Sequence, residues 1–171
     1  MPGGRLIDFP DHPFWDFSLM LYAKPGVAAA CLRLQDGAGL DVNLLLYACW
    51  TAAKGGGRPS PDDWRRLVGE TAAWRSQVVE PLRGVRRFLK DVEATPWSAG
   101  LRERVKALEL EAEHAGQLEI AALAGPGCAA TPDALAAMLD YVGAVDVALS
   151  DADRSDLSLI ASQVIGNSVK M

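Results

Sequence analysis

From Phe14 to Trp50 the chain is apolar over most of its length, broken by few polar side chains, and this run constrains the fold more than any other feature. Within it, Leu44, Leu45, Leu46, Tyr47, Ala48, Cys49 and Trp50 cover the full circumference of a helix at ~100° per residue. A helix that is apolar all round belongs in the middle of a protein. The other elements must therefore wrap it.

The punctuation says what those elements are. Prolines and glycines fall at helix ends, alternating β-branched runs are absent, and the expectation is an all-α fold. A first helix is predicted over 11–23, with Asp11 capping and His12-Pro13 in the first turn. A second runs over 27–35 and ends in the turn formers Asp36-Gly37-Ala38-Gly39. Asp41 caps the central helix, which Gly55-Gly56-Gly57 ends. Ser60-Pro61-Asp62-Asp63 is a strong helix start, with a cap, a first-turn proline and two carboxylates.

From there Trp64, Leu67, Thr71, Trp74, Val78, Leu82, Val85, Leu89 and Val92 keep one helical phase across Pro81. That reads as one long helix kinked at the proline. Thr95-Pro96-Trp97-Ser98 reverses the chain into a helix over 98–123, whose Leu101, Val105, Leu108, Ala112 and Ala115 face the preceding one in an αα-hairpin. Thr131-Pro132-Asp133 starts a helix to about residue 149, and a last one runs from Ser150-Asp151 to near Gly166, packing through Leu157, Ile160, Ala161 and Val164. The expected architecture is a single-domain bundle of six to seven helices over 1–171, with 1–10 and 167–171 as tails.

Composition bounds the function. Half the residues are hydrophobic and 23% charged, a globular balance. A net charge of −5 gives no global attraction to nucleic acid or anionic lipid. Cys31, Cys49 and Cys128 show no CxxC or Cys/His pairing, and the first two sit inside apolar helical patterns and read as core residues. With neither a signal-peptide segment nor a run of membrane-spanning length, the expectation is a soluble cytoplasmic protein.

The segments Phe14-Trp15-Asp16-Phe17-Ser18, Pro25-Gly26-Val27, Leu34-Gln35-Asp36, Asp41-Val42-Asn43-Leu44-Leu45-Leu46, Pro81-Leu82-Arg83, Arg86-Arg87 and Leu89-Lys90 occur in an order and spacing similar to those of a proteobacterial family known only as domain of unknown function 2390. The resemblance runs from about Phe14 to Lys90. It implies a bacterial, cytoplasmic, helical protein and supplies no activity.

Four constellations could carry function. Arg83, Arg86, Arg87 and Lys90 fall within about a third of a helix circumference, with Arg75 near the edge. Such a face could hold a phosphate or carboxylate, or it could be neutralised across the hairpin, where Arg83 is level with Glu109 and Lys90 nearer Glu103. Glu111 and His114 have the Glu-x-x-His spacing of di-iron bundles, but no second copy exists and His114 falls opposite the apolar stripe, so no metal or cofactor is expected. Glu119 falls in the stripe, either buried with a partner such as Arg75 or placed where the stripe has drifted. Asp16 and Asn43 have no local explanation. They form either a core network or, with the arginines, the floor of a small anion site.

No nucleophile and base pair stands out, and no P-loop, GxSxG or GxGxxG is present, so enzymatic activity is left open. The leading expectation is a small helical interaction or regulatory protein that engages a protein partner through the Arg83–Lys90 face or an exposed tryptophan. The alternative is a helical domain that binds a small anion at Arg83, Arg86, Asn43 and Asp16.

Overall fold

The computed structural model describes residues 9–55, 57–92, 95–124 and 133–164, all of them outside β-strands. The order is α1 (Pro13–Tyr22), α2 (Val27–Ala38), α3 (Val42–Ala53), α4 (Pro61–Trp74), a π-helical turn (Arg75–Val79), α5 (Glu80–Asp91), α6 (Pro96–Leu123), α7 (Ala134–Ala144) and α8 (Asp151–Val164). Because α4, the π turn and α5 are continuous, the described residues form seven helical rods in an all-α bundle. The two expected tails lie almost wholly outside the described residues.

α3 is the centre. Leu44 through Cys49 are all buried, and the helix packs against α1, α2, α6, α7 and α8. Asp41 caps it, accepting from the Asn43 amide at 2.8 Å, and the Asp41 amide in turn donates to Tyr141 Oη at 2.9 Å, tying this helix start to α7. Phe14, Tyr47, Trp50, Trp64 and Tyr141 form a chain of ring contacts through the core, with centroids 5.3–5.9 Å apart.

Several helix ends differ from the sequence reading. α1 is capped by His12, whose Nδ1 accepts from the Phe14 amide at 3.2 Å, rather than by Asp11. α2 runs on through Asp36 and Gly37 to Ala38, because the first residue that must turn left-handed is Gly39 (φ 67°), where the Gly39 and Leu40 amides both donate to the Leu34 carbonyl. Asp36 is thus a helical residue, not a turn former. At the other end, Gly26 (φ 79°) enters the helix against Leu159, where a Cβ would sit 3.3 Å from Cδ1. α6 begins at Pro96 under a Thr95–Ser98 capping box, and α7 stops at Ala144, ahead of a turn at Asp146 with positive φ. The start signal Thr131-Pro132 lies outside the described residues. Asp133 caps α7 through a 3.0 Å bond from the Ala136 amide.

The largest departure is in the long kinked helix. Proline at 81 has no N–H and its ring crowds the carbonyl four residues back, and the helix responds just upstream by widening: the Glu80 amide donates to the Arg75 carbonyl, five residues away. One residue is thereby inserted into the helical phase. Val79 rather than Val78 is buried, and beyond the turn Leu82, Arg83, Arg86 and Leu89 are the half-buried positions, while Val85 and Val92 are exposed. The uninterrupted apolar stripe predicted across Pro81 therefore does not exist. Its loss brings two arginines inward.

α6 is rotated to match. Val105 and Ala112 face inward as expected, but Leu101 and Leu108 are exposed, and the buried polar positions are Glu109 and Gln117. Glu119 is exposed, so of its two readings the drifting stripe is the one that holds. α5 contributes no fully buried residue and packs on α6 and the π turn.

Candidate functional site

A cleft of about 550 Å³ opens between α1, α2, α3, α5 and α6. Its walls are mainly apolar: Trp15, Leu19, Tyr22 and Ala23 from α1 and its C-cap, Leu32 from α2, Val42 and Leu46 from α3, Ala107 and Leu110 from α6. Its floor is ionic. Glu109, 6% exposed, accepts from Arg83 Nε at 3.2 Å and from Arg86 Nη2 at 3.1 Å on one oxygen, and from Arg86 Nε on the other. Arg83 Nη2 reaches Glu113 at 3.0 Å. Two guanidinium groups from α5 are thus matched by two carboxylates one turn apart on α6, and at the rim Lys106 accompanies Glu103. The cleft carries as many cations as anions.

The pKa directions follow from this geometry. Arg86 is held further above its ordinary value by its bonds to Glu109, which outweigh its partial burial. Burial raises Glu113 above the usual carboxylate range, a rise that Arg83 opposes and the neighbouring Glu109 charge reinforces. Burial pushes the Tyr22 phenol up to about 12, so its hydroxyl is a proton donor in the cleft wall at neutral pH.

Beside the ion cluster lies an uncharged ladder. Gln117 Nε2 donates to Asn43 Oδ1 at 2.9 Å, and Ser18 Oγ lies 2.9 Å from both Gln117 Oε1 and the Phe14 carbonyl, with one proton to give to either. Three helices are bridged by it, and all three side chains line the cleft.

Of the residues singled out from sequence, Arg83, Arg86 and Asn43 converge on this cleft. Asp16 does not: it is exposed on α1, and Asn43 is satisfied by Gln117 instead. Arg87 leaves the group to pair with Asp36 at 2.6 Å, which holds that carboxylate below its usual range. Lys90 is exposed, and Arg75 is taken up by Glu80 and the Gly39 carbonyl, both at 2.9 Å. The expected single basic face is therefore divided among separate partners. His114 stacks on Trp15 at 4.2 Å behind the cleft wall, and burial lowers its pKa. Among the described residues no group of three or more His, Cys, Asp or Glu could hold a metal ion, and no helix is long and apolar enough to cross a membrane.

Sequence reasoning missed Ser18 and Gln117 as a pair, since nothing local connects positions so far apart in the chain. It placed Arg83 opposite Glu109 from the hairpin register alone, and the two are in contact.

Residues 13–120 match the family described as Protein of unknown function (DUF2390), and the chain belongs to that family. The match continues beyond Lys90 through most of α6 and so takes in Glu109, Glu113 and Gln117 along with Arg83, Arg86 and Asn43. Neither the curated proteins nor the solved structures gave a match.

Proposed function

We propose that this member of a family of unknown function is an interaction protein that docks the apolar side of a partner's helix in the α1/α2/α6 cleft. The observation that carries the reading is a neutral floor under an apolar mouth. Arg83 and Arg86 are already committed to Glu109 and Glu113, while Leu19, Leu32 and Leu110, each about half exposed on three different helices, surround the opening. A groove that collects leucines from several helices suits the i, i+3, i+4 anchors of an amphipathic helix. A small anion fits less well, since Arg83 and Arg86 each already give two nitrogens to Glu109 and Glu113 and the charge it would meet is balanced. The buried, unpaired thiols of Cys31 and Cys49 agree with a reducing, cytoplasmic setting.

Leu32→Glu and Leu110→Glu test the reading, because each puts a charge at the mouth without touching the core. Affinity capture with either variant is expected to lose the partners held by the wild type, at unchanged far-ultraviolet circular dichroism. Equal capture by all three proteins would remove the cleft's docking role. Thermal unfolding with phosphate and dicarboxylate panels is expected to show no shift. A ligand at a hundred times its dissociation constant would add ~2.7 kcal/mol and would replace the helix with an anion.

A further inference from the structure

On the side of α6 away from the cleft, Trp97, Leu101, Arg104, Leu108, Glu111 and Ala115 recur at intervals of 4, 3, 4, 3 and 4 residues. At ~100° per residue they fall within about a quarter of the circumference, the seam of a coiled coil. Lys106, Leu110, Glu113 and Gln117, which line the cleft, point the other way round the helix. Among the described residues most of the seam is left open: Trp97 is 79% exposed, Leu101 48% and Leu108 51%, with Glu111 and Ala115 half-buried. Arg104 is exposed, and neither it nor Glu111 makes an ion pair among the described residues.

We propose that this seam pairs with the same seam of a second copy, antiparallel and centred on Leu108. The charge order selects that occupant and that orientation. Turning α6 about Leu108 brings Arg104 of one copy approximately level with Glu111 of the other, and the two-fold symmetry makes the pair twice. Leu108 meets its own counterpart at the axis, and Leu101 lies over Ala115, a small residue that lets a large one in. A parallel pairing sets Arg104 against Arg104 and Glu111 against Glu111, so it opposes itself. The surface is independent of the cleft and leaves both clefts of the dimer open.

Sedimentation equilibrium of the full chain tests this. The wild type is expected to associate to twice its 18.3 kDa mass. Leu108→Glu is expected to be monomeric with unchanged helicity, since Leu108 contributes nothing to the core. Arg104→Glu is expected to raise the dimer Kd about tenfold or more by facing carboxylates with carboxylates. Adding Glu111→Arg to it restores the opposite charges and is expected to restore the dimer. A wild type that stays monomeric overturns the proposal, as does a dimer indifferent to Leu108→Glu, or an Arg104→Glu defect that Glu111→Arg does not rescue.

Discussion

Replacing Glu109 by alanine is the sharpest probe of how the hairpin is fastened to the bundle. Both hydrogen-bonding nitrogens of Arg86 rest on this carboxylate, whereas Arg83 keeps Glu113 when it is gone. Glu109 is buried and the side chains of Arg83 and Arg86 are only 14% and 25% exposed, so the loss leaves a mostly desolvated guanidinium without a counter-charge. Removing one member of a buried pair costs about 3–5 kcal/mol, and the residual solvent contact of Arg86 places this case near the lower end, about 3 kcal/mol. For a chain of this size that is about 6 to 12 °C in Tm, measured by circular dichroism melting. Glu109→Gln keeps one acceptor and is expected to lose about half as much. Replacing Glu109 and Arg86 together by leucine is expected to recover most of the loss, because Arg83 keeps Glu113 and no charge is then stranded. A Glu109→Ala shift below about 2 °C would refute the reasoning, since it would mean that the cluster is solvated and holds nothing.

Other consequences are quicker to check. Because burial raises Glu113 above its ordinary value of 4.5, its contribution to stability is full below that value and is lost as pH rises through the folded-state value. The stability of wild type relative to Glu113→Gln, from urea unfolding, should therefore fall as pH rises above the ordinary value of 4.5, and a flat difference would contradict it. Burial pushes the Cys31 thiol up to about 12 and raises Cys49 as well, so both should resist a thiol reagent in the folded protein and react once it is unfolded. Gly116 sits where a Cβ would lie 3.3 Å from Trp74, whose indole N–H donates to the Ala112 carbonyl at 2.9 Å. Gly116→Ala should stay within about 1 kcal/mol of wild type, as helix propensity offsets the crowding, while Gly116→Leu should break the Trp74 bond and lower Tm by several degrees.

What could be seen in the sequence was local or periodic. The caps at Asp41 and Ser60 and the apolar circumference of α3 are each fixed by neighbours a few residues away, and each is where it was expected. The site was legible only in part, because its assembly depends on one inserted residue. Pro81 announced a disturbance in the helix, but a kink keeps the phase and a π turn changes it, and the two call for the same proline. Read without the insertion, α5 turns Val85 inward and its arginines out as one basic face. With it, Arg83 and Arg86 become the floor of a cleft. Asn43 was recognised as needing a partner, but Gln117 could not be named, since the register between α3 and α6 is set by side-chain packing across the whole bundle.

α5, which buries none of its residues fully, also implies that stability is unevenly distributed. The core around α3, buried among five other helices, is expected to open only with the whole molecule. From Arg87 to Leu108, in contrast, two helices lean chiefly on each other, and Arg83, Arg86 and Glu109 act as a latch at their base. Amides of α5 and the first turns of α6 should then exchange with deuterium by a local melting that leaves α3, α7 and α8 protected. Pairing with a second copy through α6 should slow that exchange as protein concentration rises, making the folding of the hairpin itself a readout of assembly.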